Sequence, residues 1–417
     1  MLYRVCVVWL WSPCCYCSRS AVWIASGVIP SLIVYGAGLL HPSFFCAAAL
    51  VICAVVSLAS GSAWTTAATL GVALVGIAQA SGISLPVTAG AIISGVYFGD
   101  KLSPLSDTTN LSSSMAGADL FVHIRYLLST TLPAFMIALV FFLALSFMST
   151  PEVNTAQLEL LASELNEKFR ISAYLILPMF GLIGLAVLRM PPLPAIAVSI
   201  VIGVLIGLIF QSPEAGQGGQ RIFGYWNIVA TGYHTDSGSA AVQALLSRGG
   251  MESMLSTVWL IISAMFFSAM MDRSGCLAKI VQTVIGLMRK DRHIFLGAGV
   301  TALAGNIVAA DQYLSIVLST RMYVDEVQAR RFQPEMLSRT AEDFGTVTSA
   351  LVPWNTCGAF MSATLGVATF SYLPFCVFNI VSPVIAAFYI STGLAIRQRP
   401  EADALKRSVS ETELSPR

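Results

Sequence analysis

Apolar segments about as long as a membrane span recur along most of this chain, separated by short polar or glycine-rich breaks. A helix needs about 20 predominantly apolar residues to cross the hydrocarbon core of a bilayer. The hydrophobic pattern predicts helices over 21–40, 43–60, 67–80, 83–98, 119–148, 171–189, 193–210, 255–272, 275–289, 294–309, 312–323, 341–352, 356–369 and 372–394. This pattern indicates an all-α, polytopic integral membrane protein.

Several predicted helices are too short to span a bilayer and come in consecutive pairs split by glycine or polar residues. The pairs are 43–60 with 67–80, 294–309 with 312–323, and 341–352 with 356–369. Unwound backbone is tolerated at membrane depth only where it lines a site enclosed by protein. We therefore predict discontinuous transmembrane helices, with 61–66, 100–110, 305–311 and 353–356 non-helical and close together.

The two halves of the chain repeat a pattern of one break followed by two prolines. The positions are Gly61, Pro86 and Pro104 in the first half and Gly305, Pro334 and Pro353 in the second. The matching connectors differ in charge, because 79–90 has no Lys or Arg whereas 321–339 has four Arg. Positive residues favour the cytoplasmic side, so the halves are predicted to be inverted repeats.

Charge also orients the connectors and divides the chain. The segment 150–170 is acidic, whereas 273–292 and the tail are basic and read as cytoplasmic. We predict an atypical amino-terminal segment with a misassigned start (1–20), a partial first repeat (21–149), an external connector (150–170), the remaining helices with the second repeat (171–394), and a disordered cytoplasmic tail (395–417).

Composition excludes several classes of protein. The 417 residues are 56% hydrophobic and only 11% charged, with a mean hydropathy of +0.76. Soluble domains have about 25% charged residues, so the bilayer itself is a predicted partner. The net charge of +1 and the lack of a basic stripe argue against nucleic acid. Most of the nine cysteines lie in apolar runs and do not suggest a disulfide framework.

The polar connector 99–110, GDKLSPLSDTTN, is the most informative stretch of the chain. It carries two carboxylates, several hydroxyls, an amide and a helix-breaking proline between long apolar segments. Each charge at membrane depth costs roughly 2.5–3.5 kcal/mol on insertion scales, so such charges are usually functional. The alternative is an ordinary polar loop outside the membrane, and composition alone leaves both open.

Candidate site residues share oxygen atoms, the ligand type that hard cations prefer. The principal candidates are Asp100, Ser103, Asp107, Thr108, Asn110, Asn306, Asp311, Asn355 and Thr356, supported by Ser62, Thr65, Thr66, Lys101, Asp236 and Asp343. Glu342, beside Asp343, could equally face water. Without a Cys/His cluster, a transition metal is not expected.

Individual roles follow from the neighbours of each charge. Lys101 is expected to neutralise Asp100, which makes Asp107 the better Na+ ligand, with Asp311 as the second candidate. Asp236 and the nearby His234 either relay protons, because His titrates near neutral pH, or lie in a loop. His123 is predicted to lie at the membrane interface.

Long motifs give the chain a specific resemblance. GDKLSPLSDTTN is followed by GADLFVHIRY and TTLPAF, and later by ADQYLSIVLSTRMY and EDFGTVTSALVPWNTCGAFMSATLGV. These motifs resemble the NhaC family of Na+/H+ antiporters over roughly residues 20–395. The chain departs from the family at its amino end, where family members carry further apolar helices before the Trp23 motif.

The resemblance implies a multi-pass protein of the cell inner membrane that exchanges Na+ for protons without a cofactor. No GxxxxGK[ST] motif is present, so ATP-driven pumping is not expected. Two alternatives stay open: a Na+- or H+-coupled carrier of a small organic anion or amino acid, and, more distantly, an intramembrane aspartyl protease. An enzyme is not expected because the protease's Gly-x-Gly-Asp and Tyr-Asp motifs are missing. Stoichiometry and assembly, including a homodimer, stay undecided.

Overall fold

A computed structural model describes residues 15, 18–39, 44–148, 163–187, 192–211, 219–235, 243, 246, 250–252, 255–275, 279 and 293–393. The regular elements of these residues are helices: α1 (Ser18–Ala25), α2 (Val28–Leu39), α3 (Phe45–Ser60), α4 (Ala63–Ala80), α5 (Leu85–Leu102), α6 (Asp107–Ala116), α7 (Leu120–Met148), α8 (Leu177–Val187), α9 (Pro192–Phe210), α10 (Gly219–Thr231), α11 (Leu255–Arg273), α12 (His293–Val308), α13 (Gln312–Arg321), α14 (Val324–Ala329), α15 (Pro334–Ala341), α16 (Thr356–Leu365), α17 (Thr369–Tyr372) and α18 (Val377–Thr392). The all-α prediction is confirmed.

Helix length and composition fit a membrane protein. Within the described ranges, α4 and the part of α7 from Leu120 to Phe147 are long and apolar enough to cross a bilayer. Two bent pairs pass the same test together, α1 with α2 at 71° and Thr369–Phe375 with α18 at 59°. Shorter apolar segments of 10–17 residues are Phe45–Ser60, Ala197–Phe210, Ile294–Val308 and Thr356–Leu365, as expected of discontinuous spans.

The predicted breaks exist but are shorter than expected. The first is confined to Gly61, in the left-handed region at φ +66°, and Ser62, whose side chain accepts a hydrogen bond from the Thr65 amide and so starts α4. The third covers only 309–311, and Asp311 caps α13 by accepting from the Leu314 amide. Capping by a side-chain oxygen satisfies backbone donors where water is scarce.

Two predicted element types are wrong. The range 341–352 is not one α-helix, because a π-helical stretch over Glu342–Thr346 and a 3-10 turn over Ser349–Leu351 replace its regular hydrogen bonding. The connector 100–110 is largely helical: α5 continues to Leu102, and α6 begins at Asp107. Most of the predicted helix 275–289, residues 150–162 of the predicted connector 150–170, and the segments 1–14 and 394–417 lie outside the described residues.

The two halves share an order of elements, apart from α14, which has no counterpart in the first half. A break and a capped helix (α4 or α13) precede a helix with a proline in its first two positions (α5 or α15). A second proline then precedes a ten-residue helix that ends at a left-handed glycine, Gly117 or Gly366. This order agrees with a repeat, and the inverted orientation of the second copy stays a prediction.

Close packing of α3 against α5 depends on glycines. A Cβ added at Gly95 would lie 2.3 Å from the Leu50 carbonyl oxygen, and one added at Gly99 would lie 2.2 Å from the Ala54 carbonyl oxygen. Small residues let membrane helices approach so closely that backbone contacts backbone. This contact positions the carboxyl end of α5, where Asp100 and Lys101 lie.

We predict that Gly99→Ala lowers stability, because the added methyl group must push two backbones apart. Overpacking of this kind costs about 1–3 kcal/mol. Gly184→Ala is the matched control, since no atom lies within 4 Å of a Cβ there. Thermal unfolding in detergent, followed by fluorescence, checks the prediction; equal melting temperatures for the two variants would contradict it.

Candidate ion-binding site

Asp100 is the most enclosed carboxylate at the break between α5 and α6. Its side chain is only 8% exposed, and the Ser106 hydroxyl and the Ala63 backbone amide interact with it. Asp107 and Glu342 are close enough to act on it electrostatically. Asp100 is thus surrounded by groups from both halves of the chain.

Tyr313 connects Asp100 to the second half. It lies in the first turn of α13 and is electrostatically coupled to Asp100, Asp107 and Asp311. Asp311 also accepts a hydrogen bond from Thr356, with 3.4 Å between the oxygens. The structure therefore brings three predicted carboxylates to one region, at the ends of interrupted helices from both halves.

These three carboxylates differ in exposure. Asp107, the first residue of α6, is exposed, Asp311 is half-buried and Asp100 is buried. Within the described residues no three His, Cys, Asp or Glu side chains are close enough to hold one metal ion together. A single cation would therefore take at most two of these carboxylates and complete its coordination with neutral oxygens, and Asp100 is the enclosed carboxylate.

Asn306 and Asn355 stabilise the break before α13. The Asn306 side chain donates to the Gly345 carbonyl and to Thr348, and its oxygen accepts from Ser315 at 3.0 Å. The Asn355 amide donates to the Asn306 backbone and side chain at 3.2 and 3.3 Å. Both are fully buried, so they hold the backbone shape around the carboxylates.

The remaining predicted side chains shape the turns next to the carboxylates. Their contacts are Ser103 with the Leu105 amide, Thr108 with Ser106, Asn110 with the Pro104 and Ser106 carbonyls, Thr65 with Ser62, and Thr66 with Ser60. His234 is exposed and contacts the Thr231 carbonyl. Asp236 lies outside the described residues.

The expected pairing of Lys101 with Asp100 is wrong. Lys101 forms an ion pair with Asp343, and both side chains are fully buried. Ser382 bridges the pair, at 3.1 Å from the Lys101 nitrogen and 2.9 Å from an Asp343 oxygen, and Thr130 donates to the same carboxylate. Side chains on neighbouring positions of a helix point in different directions. Lys101 therefore contacts Asp343 in the second half and does not neutralise the Asp100 carboxylate.

His123 is buried between helices, and its two ring nitrogens contact Ser112 at 3.3 Å and Ser338 at 2.7 Å. Its depth at the membrane interface stays a prediction. A single histidine in an apolar helix gives no signal of such a contact, because its partners come from α6 and α15. The structure thus adds a second buried polar connection between the halves.

Comparison with known proteins identifies the chain. The model of the Na+/H+ antiporter family matches residues 95–394. The chain belongs to this family. Similar relatives include the Na+/H+ antiporter NhaC of Alkalihalophilus pseudofirmus (33% identical, covering 90% of this chain and 80% of the relative) and the malate-2H+/Na+-lactate antiporter of Bacillus subtilis (36%, 89% and 78%). The arginine/ornithine antiporter ArcD of Halobacterium salinarum is 33% identical over 89% of this chain and 76% of the relative.

In this Na+/H+ antiporter family member, the Lys101–Asp343 pair yields a stability prediction. Lys101→Met should lower the free energy of unfolding by about 3–5 kcal/mol, because it leaves a buried carboxylate without its partner. Combining Lys101→Met with Asp343→Leu should recover part of this loss, since the carboxylate is removed together with its partner and Arg339, 3.8 Å from Asp343, is the buried charge that remains. Lys279→Met, at an exposed position, is the control. The measurement is thermal unfolding in detergent, and a double variant no more stable than the single one would contradict the prediction.

Proposed function

We propose that this chain exchanges Na+ for protons by alternating access, with sodium bound at Asp100. The observation that carries the proposal is the approach of Asp100, Asp107 and Asp311 to Tyr313, at the ends of interrupted helices from both halves. Secondary transporters commonly bind their ions at such helix breaks, where free carbonyls and side-chain oxygens replace water. Membership of the Na+/H+ antiporter family supports the same activity.

Burial explains why sodium and a proton would compete. A carboxylate enclosed by protein is unstable as a lone charge, and either a bound cation or a proton relieves this cost. Asp100 has Ser106 and the Ala63 amide beside it, so it has neutral partners but no cation of its own. Sodium binding would relieve this cost at Asp100 and oppose protonation of the carboxylates around it.

Asp107 and Asp311 would serve the same sodium ion in different ways. Asp107 is exposed and would attract the cation to the break. Asp311 already caps α13 and accepts a hydrogen bond from Thr356, so its role would be to fix the start of α13 and of α16 beside the sodium ion. The arrangement therefore favours an entrance at Asp107 and a binding position at Asp100. We further propose an inner-membrane location with the carboxyl-terminal tail cytoplasmic, on the distribution of basic residues.

A second candidate function is exchange of a small organic anion or amino acid coupled to Na+ or H+. It is favoured by the 36% identity to a malate-2H+/Na+-lactate antiporter and by the arginine/ornithine antiporter among the relatives. Counterflow of labelled malate, lactate, arginine or ornithine in liposomes separates the two. Sodium-independent exchange of any of these solutes would promote this candidate over Na+/H+ exchange.

We predict that Asp100→Asn abolishes Na+-driven proton movement while leaving the protein folded. Asparagine keeps the size and most hydrogen bonds but cannot carry the charge that sodium needs. The assay uses purified protein in liposomes with a trapped pH dye, to which Na+ or K+ is added; the native chain should respond to Na+ far more than to K+. Asp325→Asn, at an exposed position in α14, is the control. Full activity in a folded Asp100→Asn variant would show that Asp100 does not bind the transported sodium.

We predict that Asp107→Asn raises the sodium concentration needed for half-maximal exchange but leaves the maximal rate close to native. The reason is that an exposed carboxylate at the entrance concentrates cations without holding the bound one. The same liposome assay, run over a series of Na+ concentrations, measures both quantities. If the maximal rate also vanished, Asp107 would be a ligand of the bound sodium itself.

A further inference from the structure

Glu342 is a buried carboxylate for which the sodium site has no use. Its side chain is fully buried, and among the described residues the hydroxyls of Ser112 and Thr346 lie near its carboxylate without forming a hydrogen bond of good geometry. Its neighbour Asp343 is held by Lys101, Thr130 and Ser382. Burying a charge without partners is very unfavourable, so this geometry favours Glu342 in its protonated form.

The charges around Glu342 come from three elements. Asp100 and Lys101 of α5 act on it, and Lys101 is already engaged by Asp343. Arg339 lies in α15, one turn before Asp343, and its Nε atom is 3.8 Å from an Asp343 carboxylate oxygen. His123 of α7 interacts electrostatically with both Lys101 and Arg339. Asp100 is therefore the charge near Glu342 that can change when sodium binds.

Hydrogen bonds connect the neighbourhood of Glu342 to Ser338 in α15. Ser112 lies close to Glu342 and contacts the Nε2 atom of His123 at 3.3 Å. The Nδ1 atom of His123 contacts Ser338 at 2.7 Å. Ser338 lies one turn before Glu342, toward the start of α15, and Arg331 in the preceding connector is exposed.

We propose that Glu342 carries the transported proton, apart from the sodium at Asp100, and that Ser112, His123 and Ser338 pass this proton toward the start of α15. In the transfer, the Glu342 O–H bond breaks and Ser112 accepts that proton while giving its own to Nε2 of His123. The ring then releases its Nδ1 proton through Ser338 to water. The number of protons on the relay is unchanged, and Glu342 is left as a carboxylate.

Coupling would follow from the electrostatic interaction between Asp100 and Glu342. A sodium ion at Asp100 cancels the like charge that keeps Glu342 protonated, so sodium binding promotes proton release. The coupling is reciprocal, because a proton on Glu342 removes a negative charge near Asp100 and so weakens sodium binding there by the same factor. This inference rests on the proposed function, since it assumes sodium at Asp100.

The test compares two transport modes in the same liposomes holding the full chain. One is Na+-driven proton movement, and the other is exchange of labelled for unlabelled Na+ at equal concentration and pH, which needs no proton. We expect Glu342→Gln to lose the first mode and keep the second. Glu326→Gln, at an exposed position in α14, should keep both and is the matched control.

Three outcomes would count against the proposals in different ways. Native proton movement in Glu342→Gln overturns Glu342 as the carrier. Loss of both modes in a variant that melts like the native chain also overturns it, because Glu342 would then belong to the sodium step. A native chain with no Na+/Na+ exchange would instead refute the proposed function.

The relay has its own test. His123→Gln keeps a hydrogen-bonding side chain but cannot accept a proton at one end and release one at the other. We expect slower Na+-driven proton movement with unchanged Na+/Na+ exchange. An unchanged proton rate would overturn the route through His123 while leaving the Glu342 assignment to the first experiment.

Discussion

The buried ion pair between Lys101 and Asp343 is the interaction on which the arrangement of the site depends. It joins α5 of the first half to the π-helical stretch of the second, and both side chains are withdrawn from solvent. Two buried charges are stable only with good geometry and further hydrogen bonds, which Ser382 and Thr130 supply. Each partner is preceded by another carboxylate, so the pair brings Asp100 and Glu342 near each other.

This pairing divides two adjacent pairs of charges, Asp100 with Lys101 and Glu342 with Asp343, into groups with different properties. Lys101 and Asp343 form an ion pair with each other. Asp100 and Glu342 lie beside them in the chain, and within the described residues neither forms an ion pair. The Lys101–Asp343 pair holds Asp100 and Glu342 near each other, so a change in the charge of one carboxylate acts directly on the other. This interaction is the physical basis of the proposed link between the sodium site and the proton site.

Irregular helix geometry is concentrated where the two halves meet. The break at Gly61 and Ser62, the cap at Asp311 and the π-helical stretch over Glu342–Thr346 all lie next to the carboxylates. Helix interruptions free backbone carbonyls and amides that a regular helix would use internally. The ring stack of Trp64 on Phe360, with centroids 4.2 Å apart, and the Asn306–Asn355 contact brace these interruptions. The irregular backbone is thus enclosed by protein, as a membrane requires.

The sequence by itself determined the helical class, the membrane environment, the places where helices break and the family, because hydropathy, prolines and long motifs are local properties of the chain. It could not reveal α6, since a helix made of Ser, Thr and Asn and buried between others has no apolar periodicity. It also could not choose the partner of Lys101 or the burial of His123. Those depend on which side chains, more than two hundred positions away, fold against them, and only the tertiary structure decides that.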